Sequence, residues 1–198
     1  MKLHVLLIVI IIFACFVAIV SINQVDYNIS DSVKDSGRVY ECDYKTISLN
    51  TEIEFVKDGN KYVISGRILT FFTDPLTLKK NGQTIGTADD SYKIIGQDDH
   101  AIVINDQFEV AIHGNFNVFG NSYNLYDLNG NKVGYAEFND LCTNGAVYDS
   151  NGYTVATYSK SYIMNDYTVT IYDNNIASDE ALLMIIASYV SDYHYDEV

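Results

Sequence analysis

The chain has no tryptophan, one proline, three cysteines and few cations. Each shortage excludes something. Three cysteines in 198 residues cannot build a disulfide-rich scaffold. A single proline excludes polyproline linkers and collagen-like repeats. Against 12 Lys+Arg stand 26 Asp+Glu, a formal net charge of −14. That balance argues against nucleic acid, whose affinity comes mainly from cationic neutralisation of phosphate, and against docking on anionic lipid headgroups. Charged residues are 19% and hydrophobic residues 48%, so most of the chain can bury a core. Tyrosine is abundant, at 17. Tyrosines supply contact area with a polar tip, or simply serve as strand formers.

Residues 5–22, VLLIVIIIFACFVAIVSI, carry no charge. As a helix, 18 residues rise about 27 Å, close to the hydrocarbon thickness of a bilayer. Lys2 and His4 precede the run, and the next basic residue after it is Lys34, beyond Asp26 and Asp31. The positive-inside rule therefore predicts a single-pass signal anchor in the plasma membrane, with a cytoplasmic N-terminus and everything after residue 22 extracytoplasmic. Three alternatives stand beside it. Cleavage and secretion would want a small-x-small site, and none follows the run cleanly. A lipoprotein would use Cys15, preceded here by the bulky Phe13. A buried core helix is disfavoured by a run so apolar and so terminal. Residues 23–38 are rich in Asn, Asp and Ser and read as a polar juxtamembrane linker.

The remainder, residues 39–198, is punctuated by turns. Asp58-Gly59, Asn81-Gly82, Asn105-Asp106, Asn129-Gly130 and Asn151-Gly152 tolerate the positive φ that tight hairpins need. Their second residues are spaced by 23, 24, 24 and 22, and β-prone runs flank each pair. Several runs alternate with period two. Ile53 and Phe55 oppose Glu52 and Glu54; Phe108, Val110 and Ile112 share a face; residues 115–118 repeat the pattern; Tyr167, Val169 and Ile171 oppose Thr168 and Thr170. Five hairpins give ten strands. Runs at residues 40–47 and 167–172 raise the count to about twelve, which must close into a barrel or split into a sandwich. Residues 178–193 then change character. Ser178 is a helix N-cap, Asp179 and Glu180 suit the positive end of the dipole, and residues 181–190 are apolar almost all round. A short helix with no polar stripe must be surrounded by protein. The predicted fold is mainly β, a closed antiparallel barrel of about twelve strands around a buried C-terminal helix.

The units YNLYDLNGNKVGYAEF and GAVYDSNGYTVATY, followed by DYTVTIYDNN and DEALLMIIASYVSDY, resemble the LURP-one-related family of the wider tubby C-terminal-like and phospholipid-scramblase group. The resemblance spans roughly residues 40–193. It implies a twelve-stranded barrel closed around a hydrophobic helix. It does not carry over a phosphoinositide site: from Ile94 onward only Lys132 and Lys160 are basic, against 15 acidic residues. The Cys-rich segment and C-terminal membrane helix of scramblase-type members are also missing, and the apolar run lies at the opposite end of the chain.

Chemistry-bearing residues are sparse. None of His4, His100, His113 and His194 has metal-ligand spacing with another His or Cys. His100 reads as a loop residue and His113 as a surface one. Cys42 and Cys142 lie beyond the apolar run and form a candidate disulfide, with two free thiols as the alternative. The 127–131 turn, DLNGN, suggests calcium ligands, but the sixth-position Gly and distal Glu of an EF-hand are missing, and turn chemistry accounts for the same residues. No catalytic residue, metal site or cofactor is expected. The expected role is a non-enzymatic, membrane-anchored module at a bacterial cell envelope. It would hold the membrane through the N-terminal helix and bind an envelope protein or polymer through an acidic, tyrosine-bearing wall. The alternative is a lipid- or small-hydrophobe-binding protein, by analogy with scramblase-like relatives, which requires a cavity beside the helix.

Overall fold

The computed structural model describes residues 8–11, 25–47, 50–67, 76–89, 99–116, 121–139, 143–160 and 167–196. Twelve strands form a closed antiparallel barrel: β1 (Arg38–Ile47), β2 (Asn50–Lys57), β3 (Asn60–Arg67), β4 (Leu76–Lys80), β5 (Gln83–Asp89), β6 (Asp99–Ile104), β7 (Gln107–Phe116), β8 (Asn121–Tyr126), β9 (Lys132–Phe138), β10 (Asn144–Asp149), β11 (Thr154–Lys160) and β12 (Tyr167–Ile171). Each strand pairs with its chain neighbours, and β1 pairs with β12 to close the ring. Closure removes the sheet edges that a twelve-stranded meander would otherwise expose.

All five expected turns sit where the sequence puts them. Asp58-Gly59, Asn81-Gly82 and Asn105-Asp106 have positive φ at both positions, the geometry of two-residue hairpins. In the last two turns only Gly130 and Gly152 are left-handed, because five-residue loops join those strands. Asp127 Oδ1 accepts from the N–H groups of Asn129 (2.9 Å) and Asn131 (2.8 Å), and Asp149 Oδ1 accepts in the same way from Asn151 and Tyr153. The Asp-x-Asn-Gly-x pattern is thus a loop-closing device.

The period-two reading holds in β2 and β12. Ile53 and Phe55 are buried, as are Tyr167, Val169 and Ile171, while the residues between them are partly exposed. It fails at Phe108. Val110 pairs with Ile102, but Phe108 pairs with Val103, so Glu109 is the extra residue of a bulge and Phe108 leaves the buried row. The same interruption recurs at Ile85, Val133 and Val155, each three residues beyond the second turn residue. Bulges at one level of four hairpins bend and twist the strands, which helps a sheet curl shut. Residues 117 and 118, also expected to alternate, lie outside the described residues.

The C-terminal helix α1 (Asp179–Asp196) is about 27 Å long. The Ser178 Oγ accepts from the Ala181 N–H at 3.3 Å, so Ser178 caps it as expected. Residues 181–188 and Val190 are buried, and the helix belongs to one apolar cluster with the buried side chains of the strands. Contact with the wall is close: a Cβ on Gly86 of β5 would lie 3.5 Å from the Met184 sulfur.

Two sequence expectations concern residues before the barrel. The apolar run 5–22 lies outside the described residues except for one helical turn at 8–11, where Ile8, Val9, Ile10 and Ile11 are 53–56% exposed. Among the described residues no helix is long and apolar enough to cross a membrane. The polar segment that follows is not a free linker where it is described. From Val25 to Ser36 it lies along the outside of β10 and β11 as a strap. Val25 N–H donates to Asn144 Oδ1 (3.1 Å), Tyr148 Oη to Asp26 O (2.7 Å), Asn28 N–H to Thr154 Oγ1 (2.8 Å), and Thr154 N–H back to Asn28 O (2.9 Å). A 3₁₀ turn at Lys34–Ser36 leads into β1. The strap covers wall residues that would otherwise be wet, so β10 and β11 are buried on both faces.

Candidate functional site

The barrel has two unlike ends. All five hairpin turns and the entry to α1 lie at one end. The strand ends that lead into the connectors between hairpins lie at the other. Among the described residues, polar side chains gather around the first turn of α1, at the hairpin end, where a helix leaves four N–H groups without intrahelical partners.

Arg38 of β1 grips Asp179 through two bonds, Nε to Oδ2 and Nη2 to Oδ1, both 2.7 Å. The Tyr40 hydroxyl donates to the same Oδ2 at 2.8 Å. Lys80 of β4 pairs with Glu180 at 3.1 Å. Glu109 Oε2 accepts the Ser178 N–H at 3.0 Å. Glu109 stands at the bulge position where the other three repeats carry Ile85, Val133 and Val155, so the repeat departs from its aliphatic pattern at the strand that reaches the helix start. Two aromatic rings floor the cluster: Tyr40 and Tyr62 meet edge to face at 5.8 Å, with Lys57 over the first ring and Lys80 over the second.

The electrostatics follow from these contacts. Burial alone would raise the Asp179 pKa, but the hydrogen bonds from Arg38 and Tyr40, with the Arg38 charge, outweigh it and hold it below the ordinary carboxylate value. Arg38 is raised, chiefly by its bond to Asp179. Lys80 is raised by its hydrogen bonds to Tyr62 and then Glu180. Burial, and then the bond to Asp179, drives the Tyr40 phenol far upward. The members of this cluster satisfy one another, across β1, β4, β7 and α1. Chemically it is a latch on the helix.

A second feature is a shallow polar groove of about 130 Å³ between strap and wall, lined in part by Ser30, Ser32, Asp149, Thr154, Asp173 and Asn175. The Asp149 carboxylate there is taken up by its own turn, accepting from Asn151 and Tyr153 at 2.9 Å.

The structure disperses the residues singled out in the sequence. The Cys42 thiol is free, and Cys142 lies outside the described residues. The candidate Cys42–Cys142 bridge thus falls on a residue outside the described ones. Burial, with Asp43 beside it, pushes the Cys42 thiol well above the ordinary cysteine value, which disfavours the nucleophilic thiolate. His100 is in strand β6 opposite Ile112, not in a loop. His113 is half-buried and meets the Tyr126 ring edge to face at 6.5 Å. His194 falls in the last turns of α1, and His4 lies outside the described residues. Among the described residues no three His, Cys, Asp or Glu side chains group as metal ligands. The tyrosines are mainly a building material: Tyr40, Tyr62, Tyr148, Tyr158 and Tyr167 are buried, Tyr135 stacks on Tyr148 at 4.6 Å, and Tyr158 on Tyr167 at 5.9 Å. Only Tyr27 and Tyr153 are prominently exposed among those described. The basic residues Lys132 and Lys160 lie over the Tyr135 and Tyr167 rings at 5.2 and 5.0 Å.

Sequence reasoning identified the helix and its acidic first turn but missed Arg38, Tyr40, Lys80 and Glu109. The one available signal was Glu109 itself, an acid at a position where the neighbouring repeats carry Ile or Val.

No family model matches the chain, and no curated protein or solved structure matches it either.

Proposed function

We propose that the protein is a non-enzymatic interaction module, held at the plasma membrane by its N-terminal apolar run and displayed on the extracytoplasmic side. The reading takes up the resemblance to LURP-one-related proteins for the architecture: α1 runs through the barrel and plugs it. The observation that carries the reading is the all-round burial of α1, with residues 181–187 at 0–1% exposure. A helix buried on every side leaves the lumen to the protein's own side chains, and a lipid-binding barrel needs that space. The anchor rests on the 18 uncharged residues and on the scarcity of cations after them. The partner would be an envelope protein or polymer that meets the acidic outer surface.

Two experiments test this. Paired reporters fused after Val198, one active outside the membrane and one inside, should give activity outside only; activity inside contradicts the display. Titration of the purified chain with a fluorescent fatty acid should give no saturable binding. Saturable binding that Met184→Ala strengthens would place a ligand beside α1 and favour a hydrophobe carrier instead.

A further inference from the structure

The groove between strap and wall has three sides, and hydrogen bonds brace each of them. One side is the strap turn at residues 30–33, closed by the Val33 N–H on Ser30 O at 3.1 Å. The second is the loop after β10, where Asp149 Oδ1 accepts the Tyr153 N–H at 2.9 Å. The third is the segment after β12. There the N–H groups of Tyr172 and Asp173 donate to Val155 O at 2.8 and 3.2 Å, so Asp173 and Asn175 stand on an anchored chain. A site braced in this way loses little conformational entropy when a ligand arrives.

The lining selects a ligand class by elimination. Among the described lining residues there is no Lys or Arg, so a phosphate, sulfate or carboxylate group would meet no counter-charge. The aliphatic side chains among them are Val33 and Val155 alone, too few to cover an acyl chain. The Asp149 carboxylate is engaged by its own turn, which leaves Asp173. Asp173 gives Oδ1 to the Asn174 N–H at 2.7 Å, and its Oδ2 accepts no hydrogen bond among the described residues. A single carboxylate is a poor anchor for a calcium ion. Two further groups are available. The Asn175 carboxamide is exposed and makes no hydrogen bond among the described residues, and Tyr153 lines the groove with 46% of its surface exposed. An acceptor, a carboxamide and an aromatic ring are the set that a sugar needs. Neighbouring hydroxyls pair with the carboxylate and the carboxamide, and the apolar C–H face of the sugar stacks on the aromatic face. At about 130 Å³ the groove is smaller than a drug-sized pocket of roughly 300–1,000 Å³, and it has room for one sugar ring.

We propose that this groove is a saccharide-binding site for one neutral sugar unit of an envelope polysaccharide. Tyr153 is the stacking platform, and Asp173 and Asn175 are the hydroxyl-binding groups. The inference deepens the interaction reading above and rests on it for the setting, an envelope polymer. It also gives the strap a role, since without residues 30–33 the groove lacks one of its sides. One shallow site for one ring implies weak binding, with Kd on the order of 1 mM, and a polymer with many copies of the unit raises the avidity.

The test is a titration of the full chain in phosphocholine micelles, since sugar-headed detergents would compete. Maltotetraose and chitotetraose are the neutral probes, hyaluronan tetrasaccharide is the anionic comparison, and amide NMR shifts are the readout. The expected result is saturable shifts with at least one neutral probe, centred on the amides of Tyr153, Asp173 and Asn175, and none with the anionic one. Tyr153→Ala and Asn175→Ala should each weaken binding several-fold. Both side chains are exposed and the Tyr153 bond to Asp149 is made by its backbone, so the variants keep the fold, which unfolding midpoints check. Leu128→Ala, at an exposed side chain that does not line the groove, should leave binding unchanged. No saturable binding of either neutral probe overturns the site. Binding that survives both Tyr153→Ala and Asn175→Ala, or that is as tight for the anionic probe, overturns it as well. The envelope reading fails separately. A reporter at Val198 active only inside would remove the polymer setting whatever the titration gives, whereas a failed titration beside a reporter active outside removes the groove and leaves the display standing.

Discussion

The hairpin β2–β3 and the hairpin β10–β11 are built from the same turn chemistry and end as different walls. In β2–β3 the register is continuous from Asn50↔Arg67 to Lys57↔Asn60, and buried Ile53, Phe55, Tyr62 and Ile64 alternate with half-exposed Glu52, Glu54 and Val63. In β10–β11 a bulge interrupts the register, and both strands are buried on both faces because the strap supplies a second layer. Alternation in a sequence reports water on the second face. A continuous run such as GAVY or TVATY reports a second layer of protein. The first wall has room outside for charge, and Lys61 pairs with Glu54 there at 2.7 Å. The second exchanges that room for rigidity.

The largest expected effect is at a glycine of β9 that packs closely on β10 of the covered wall. A Cβ on Gly134 would lie 2.2 Å from the Tyr148 carbonyl oxygen, whereas on Gly114 it would meet only the Tyr123 ring at 3.6 Å. Gly134→Ala should cost about 3 kcal/mol or more in urea unfolding, and Gly114→Ala less than about 1. Next comes the helix, which both walls share. Leu183 is fully buried, and Leu183→Ala should cost about 2–5 kcal/mol through lost transfer energy and the cavity left behind. The strap itself comes third. Thr154 is 1% exposed and its hydroxyl accepts the Asn28 N–H. Thr154→Val should cost about 1–2 kcal/mol and speed amide exchange in the strap, while the matching change on β4, beside the open wall, Thr77→Val, should leave stability within about 0.5.

A smaller effect concerns pH. The Asp179 pKa is depressed in the folded state, so its contribution is complete above the ordinary carboxylate value and disappears as pH falls through the depressed one. Unfolding midpoints should therefore drop with acidification below about pH 4, and Asp179→Asn should flatten part of that slope. An unchanged slope in the variant would remove Asp179 from the latch. The smallest effect is at a turn. Asp106 holds φ at 63°, and Asp106→Gly should raise stability by about 0.5–1 kcal/mol.

The turns were legible because Asn-Gly and Asp-Gly encode a backbone conformation locally, and five of them at a near-constant spacing set the strand number. The capped, uniformly apolar helix was legible for the same reason. The bulges were harder to read. Glu109 looks like the polar member of an alternating Phe108–Ile112 strand until the partner strand shows that it is unpaired. The strap was hidden for a more general cause. Its docking uses the N–H groups of Val25 and Asn28 and the carbonyls of Asp26 and Asn28, groups that every residue carries, so a composition of Asn, Asp and Ser looked like a tether. The latch needed the third dimension outright. Arg38, Lys80, Glu109 and Asp179 come from four elements with up to 141 positions between partners.

Native-state amide exchange of the full chain in detergent micelles tests the central claim most directly, because the strap turns a linker into part of the fold. The Asn28 and Thr154 N–H groups should be protected together, within about tenfold of the buried β12 amide of Val169. Fast exchange at Asn28 beside a protected Val169 would make the strap a loose tether and contradict the account.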